Sequence, residues 1–174
     1  MTRQLKLTII IALSTATCIG QNCSCISGTK NKKTGIKSEG GITNSKDFYS
    51  LLIQKETDDK DSAVAPKYYL LLNAASGIVL PDSMVNSKRT LELLLTDNSK
   101  LYVENAKCFN NQMPFGFCIA FSASLTREQL ENISKTPIVT FTAVGILTTS
   151  FTEKKQREIQ TIASCLLTGN NWRK

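Results

Sequence analysis

The chain contains no histidine. That absence removes the Ser-His-Asp triad, the Cys-His dyad and every imidazole metal ligand. There is one tryptophan, and aromatic residues make up 7% of the chain, enough for a modest core. No G-x-G-x-x-G fingerprint, Walker loop or G-x-S-x-G elbow occurs. Ser27-Gly28-Thr29-Lys30 matches S-x-x-K and Lys33-Thr34-Gly35 matches K-T-G. The two matches almost touch inside a polar stretch, whereas penicillin-binding enzymes hold those motifs far apart on a folded scaffold. Asp58, Asp59 and Asp61 lack the ordered glycine and the twelfth-position glutamate of a calcium loop. The sequence therefore names no catalytic, cofactor-binding or metal-ligating residue and points away from an enzyme.

What is present begins with a secretory pattern. Arg3 and Lys6 form a basic start with no acid, residues 7–16 are mostly apolar and uncharged, and a small, polar stretch leads to Gly20-Gln21. A ten-residue helix would span about 15 Å, half the hydrocarbon core of a bilayer, so the segment is read as a signal peptide over 1–20 and not as a membrane span. Cleavage near Gly20 or Gln21 would release the protein to the periplasm or outside. The alternative is lipid modification at Cys18, which would anchor it to the envelope, although Thr17 is a poor fit to the small residue such sites prefer.

The 174 residues suit one domain by length. The net charge of +7 falls to +5 without Arg3 and Lys6, and its densest run is Lys30, Lys32, Lys33 and Lys37. An exported chain meets little nucleic acid, so this run reads as a solvated linker. Residues 21–46 are rich in Asn, Ser, Gly, Thr and Lys without apolar periodicity, and are expected to form a flexible lead-in to a single β-rich domain over 47–174.

Within that domain, strands are expected at 67–73, 76–80, 90–96, 100–105 and 115–123, and residues 47–54 form a short apolar patch, strand or helix. Residues 138–151 read as one long strand or a hairpin near Gly145. Thr126 with Gln129 three residues on is a capping box, Leu125 can staple onto Leu130, and Pro137 ends the helix. Ile159, Ile162, Ala163, Leu166 and Leu167 form the stripe of a C-terminal amphipathic helix, capped by Ser150 or Thr152 and stopped by Gly169. The fold class is α+β: a mainly antiparallel sheet of about six strands, with a short helix and the C-terminal helix packed on it.

Cysteine is the informative residue type. In an exported protein Cys23, Cys25, Cys108, Cys118 and Cys165 are disulfide candidates. Cys108 and Cys118 stand equidistant from Met113, so a hairpin centred there would set them opposite each other. Cys23-Ser24-Cys25 is a C-x-C, and a bridge from either cysteine to Cys165, at the edge of the helical stripe, would pin the tail to the last helix. Five cysteines leave at least one thiol free unless Cys18 is retained.

Gly20-Gln21, Gly28-Thr29-Lys30, Lys33-Thr34, the strand Tyr68-Tyr69-Leu70-Leu71-Leu72, the strand pair over 91–103 and the run Leu125-Thr126, Leu130, Ile133, Pro137-Ile138 together resemble small exported proteins of Bacteroidota, many without an assigned role. The resemblance implies export and carries over no catalytic residue. The expected function is a non-catalytic domain, binding or structural, at the periplasm or cell envelope, with an unknown envelope or extracellular partner, no nucleic acid, no transmembrane span and no cofactor. The alternative is a thiol-dependent redox protein or enzyme using Cys23, Cys25 or an unpaired cysteine.

Overall fold

The computed structural model describes residues 23–44, 48–75, 79–85, 87–113 and 116–168. Nine strands and two helices follow in chain order: β1 (Ile26–Lys30), β2 (Ile36–Thr43), β3 (Phe48–Asp58), β4 (Lys67–Ala75), β5 (Lys88–Leu95), β6 (Lys100–Met113), β7 (Gly116–Leu125), α1 (Arg127–Lys135), β8 (Ile138–Ala143), β9 (Leu147–Ser150) and α2 (Glu153–Thr168). All strands join one antiparallel sheet in the order β1-β2-β3-β4-β7-β6-β5-β8-β9. The α+β class holds, with nine strands in place of about six.

Two of the added strands lie in the expected lead-in. β1 and β2 form a hairpin whose loop is tied by the Asn31 side chain, which accepts from the Lys33 and Thr34 amides at 3.0 and 3.2 Å. Gly35 closes the loop at φ +81°, a conformation that glycine adopts without penalty. The inward residues of β2 include Glu39, Gly41 and Thr43, so the strand carries almost no apolar signal although it is built into the sheet. The lysine run is not a bare linker either: Lys30 pairs with Asp59 at 2.8 Å, Lys37 with Glu39 at 2.8 Å, and Lys60 donates to the Lys33 carbonyl at 2.8 Å.

The strand expected at 76–80 falls for residues 76–78 outside the described residues; Val79 and Leu80 belong to an irregular connection. The Asn110 side chain holds that connection by bonding both the Leu80 amide at 2.8 Å and the Leu80 carbonyl at 2.9 Å. Residues 138–151 resolve as the hairpin alternative, with Gly145 at φ +76° between β8 and β9. In β6 a bulge sets Glu104 and Asn105 opposite Thr90, with Asn105 at φ +57° in the left-handed region that asparagine tolerates.

Alternation places one face of every strand inward. Leu51, Ile53, Leu70, Leu72, Leu91, Leu93, Phe121 and Phe141 are fully buried there, with Leu130 and Ile133 of α1 and Ile159 and Ile162 of α2. Both helices lie on this face. Helix α1 carries the full capping box: Gln129 N–H donates to Thr126 Oγ1 at 3.1 Å, and Thr126 N–H donates to Gln129 Oε1 at 2.8 Å. Helix α2 starts from Thr152, whose carbonyl accepts the first helical bond from Gln156 at 2.9 Å; Ser150 is the last residue of β9.

The sheet curls strongly around α2. The helix runs along β2, with Lys155 and Glu158 at Thr43, Ile162 at Gly41, and the Leu166 carbonyl at Lys55, whose register partner is Glu39. Yet α2 also packs on β8. β2 is second and β8 eighth in the strand order, about 29 Å apart in a flat sheet at about 4.8 Å per step, while a helix is only about 10 Å wide. The Phe121 and Phe141 rings, three strand steps apart and hence about 14 Å apart on a flat surface, stand 5.5 Å apart. The sheet is therefore an open half-barrel whose concave side holds the core and both helices.

Candidate functional site

The described cysteines fall into three environments. Cys23 is bridged to Cys165, so of the two C-x-C residues the first is the one that pins the N-terminal edge to α2. The expected Cys108–Cys118 bridge is absent. The register pairs Met113 with Gly116, so the hairpin is not centred on Met113, and Cys108 faces Phe121 while Cys118 faces Asn111. A shift of this kind also puts the two thiols on opposite faces of the sheet. Cys108 is buried on the concave side and donates to the Met84 carbonyl at 3.1 Å. Cys118 is buried on the convex side near Asn73 Oδ1, and burial pushes its thiol pKa up. Cys25 is exposed and free. Cys18 lies outside the described residues.

Cys25 lines a cleft of about 480 Å³ between the β2 edge and α2. β1 begins at Ile26, opposite Gly41, so Ile42 has no partner in β1 and is 58% exposed. From α2 come Lys154, Arg157, Glu158, Thr161 and Ile162. Their spacing of i, i+3, i+4, i+7 and i+8 defines one helical face, adjacent to the core stripe and sharing Ile162 with it. Cys165 continues the same rows, which is why its side chain reaches Cys23.

A three-residue polar network ties Glu158 to β2 beside the cleft. Thr43, buried on β2, donates its hydroxyl to Glu158 Oε2 and accepts from Lys155 Nζ at 3.1 Å, while Lys155 binds Glu158 at 2.7 Å. Burial pushes the Glu158 carboxyl up, but the hydrogen bonds from Lys155 and Thr43 and the charges of Lys155 and Lys154 outweigh it and hold the pKa below the ordinary value. Lys155 thus matches the Glu158 charge. The cations of Lys154 and Arg157 remain on the wall; Arg157 meets Glu153 only at 3.6 Å, with both side chains mostly in water, where such a pair contributes little. Burial pushes the Cys25 thiol up, opposed by a backbone hydrogen bond and helped by the Glu158 charge.

The convex face carries smaller hollows: one of about 150 Å³ beside Ser27, Ser38 and Gln54, and one of about 300 Å³ beside Gln54, Tyr69 and Ser122. Among the described residues no group of three Asp, Glu or Cys side chains is placed to hold a metal ion, and no helix is long and apolar enough to cross a membrane. The chain matches no family model, no curated protein and no solved structure.

Proposed function

We propose that this protein is an exported, non-catalytic binding domain that takes an amphiphilic anion in the cleft between β2 and α2. The observation that carries the reading is the composition of that cleft: Cys25, Ile42 and Ile162 are among its lining residues, and Lys154 and Arg157 supply its cations. A volume of about 480 Å³ lies in the range of ligand sites, which combine a mostly apolar lining with a few placed polar groups. The Cys23–Cys165 disulfide supports export, because such bonds persist in oxidising compartments.

Calorimetric titration with dodecanoate, with dodecyltrimethylammonium as the matched cation, tests the reading. Dodecanoate binds and the cation does not. Arg157→Glu weakens dodecanoate binding about tenfold or more, about 1.4 kcal/mol. Equal binding of both amphiphiles, or no effect of Arg157→Glu, rules the proposal out.

A further inference from the structure

Cys23, Ser24, Cys25 and Ile26 form a tight turn, closed by the Ile26 amide donating to the Cys23 carbonyl at 3.0 Å. Two residues span at most about 7 Å when extended, and a closed turn draws them in, to the separation of roughly 4–7 Å at which cysteines can bridge. The backbone of the free Cys25 is thus held within bridging range of Cys23, one partner of the Cys23–Cys165 bond. The other two free cysteines are excluded from this set: Cys108 is buried against Met84, and Cys118 is buried on the far face of the sheet.

We propose that these three sulfurs form an exchangeable set that gates the cleft, the Cys25 thiolate displacing Cys165 from Cys23. A Cys25–Cys23 bond forms, the Cys23–Cys165 bond breaks, and the electron pair leaves on Cys165, which takes up a proton in place of the one Cys25 released. One disulfide and one thiol are present before and after, so no external oxidant or reductant is consumed. The exchange frees the last turn of α2 from the sheet edge. Thr161 and Ile162, which line the cleft, lie one turn before Cys165, and the Lys55 bond to the Leu166 carbonyl at 3.2 Å is a polar tie at that end of the helix that the exchange leaves in place. The closed cleft belongs to the Cys23–Cys165 form and the open cleft to the Cys23–Cys25 form. This gating role rests on the cleft reading above; the sulfur exchange does not.

The test maps thiols in the oxidised full chain. The protein is held at pH 8.5 without reductant, quenched in acid, alkylated with N-ethylmaleimide and digested for mass spectrometry. In the wild type the alkylated position moves from Cys25 to Cys165 as a Cys23–Cys25 peptide appears, and Cys25→Ser shows neither change. Under oxidised glutathione, Cys165→Ser forms the Cys23–Cys25 bond. The exchange is refuted if Cys165 stays unalkylated in the wild type, if it is alkylated as fast in Cys25→Ser, or if Cys23 and Cys25 remain separately alkylatable in Cys165→Ser. Dodecanoate at ten times its dissociation constant slows the exchange about tenfold, because it holds the closed form. Bound dodecanoate with no change in rate overturns the gating, whereas absence of dodecanoate binding defeats the cleft reading and leaves the sulfur chemistry to be judged on the mapping alone.

Discussion

Adding one methyl group at Gly41 should unseat the last helix. A Cβ there would lie 2.7 Å from Cγ1, 2.9 Å from Cγ2 and 3.1 Å from Cδ1 of Ile162. Ile162 is 1% exposed and β-branched, so it has little room and few rotamers with which to yield. Overpacking of this kind costs about 1–3 kcal/mol. Gly→Ala at a permissive backbone position returns about 0.4–1 kcal/mol by restricting the unfolded chain, and Gly41 is not among the residues with positive φ. The net expectation for Gly41→Ala is a loss of up to about 2.6 kcal/mol. Ile162→Ala costs about 2–5 kcal/mol through lost burial and a cavity. The double variant decides the matter. Ile162→Ala removes all three crowded atoms, so in that background Gly41→Ala should stabilise by about 0.4–1 kcal/mol. Urea unfolding of the four proteins gives the cycle, with an expected coupling of about 1–3 kcal/mol, the double variant being more stable than Ile162→Ala alone. If Gly41→Ala destabilises both backgrounds equally, α2 does not seat on β2 at this point and the half-barrel described above is wrong.

Other outcomes follow from the same contacts. Deleting residues 23–44 removes β1, β2 and the disulfide partner of Cys165, and should abolish cooperative thermal unfolding by calorimetry. Cys165→Ser opens a cross-link between residues 142 apart in sequence, worth about 5 kcal/mol at most in the chain-entropy model, and should lower the melting temperature by far more than Cys25→Ser does. Glu158 has its pKa lowered in the folded state, so its contribution is present above the unfolded value of about 4.3 and fades as pH falls through the folded value. The stability gap between wild type and Glu158→Gln should accordingly be widest near pH 7 and vanish near pH 2, as read by denaturant midpoints across that range. Asn110→Ala strips the Leu80 amide and carbonyl of their partners and should cost about 1–3 kcal/mol in the same assay.

The sequence was legible where local chemistry and burial agree. Thr126 and Gln129 announce α1, and the spacing of Ile159, Ile162, Ala163 and Leu166 announces α2, because a helix writes its caps and its buried face into adjacent residues. Gly145 marks a hairpin for the same reason. β2 was illegible because its inward positions are filled from across the fold: Gly41 is small to admit Ile162, and Thr43 is polar because Lys155 and Glu158 meet it. Neither partner lies within 110 residues, so no window of periodicity contains the pattern. The cysteine edge of α2 could be placed from helical geometry, but which of Cys23 and Cys25 it meets depends on the turn at Ile26. The cleft joins residues from both ends of the chain and had no signal of its own.

The seating of α2 along β2 also sets an order of events. Every described strand precedes α2 in the chain, yet the first two pack against α2. A polypeptide crossing a membrane N-terminus first would deliver β1 and β2 early and leave them without a partner surface until more than a hundred further residues had followed. Pairings of such long sequence separation slow folding, and an unfilled sheet edge is open to other chains in the interval. In any chain that emerges N-terminus first, β1 and β2 await α2 in this way. The polar inward face of β2, poor in side chains that other strands could bind, lowers that risk at the stage when nothing covers it.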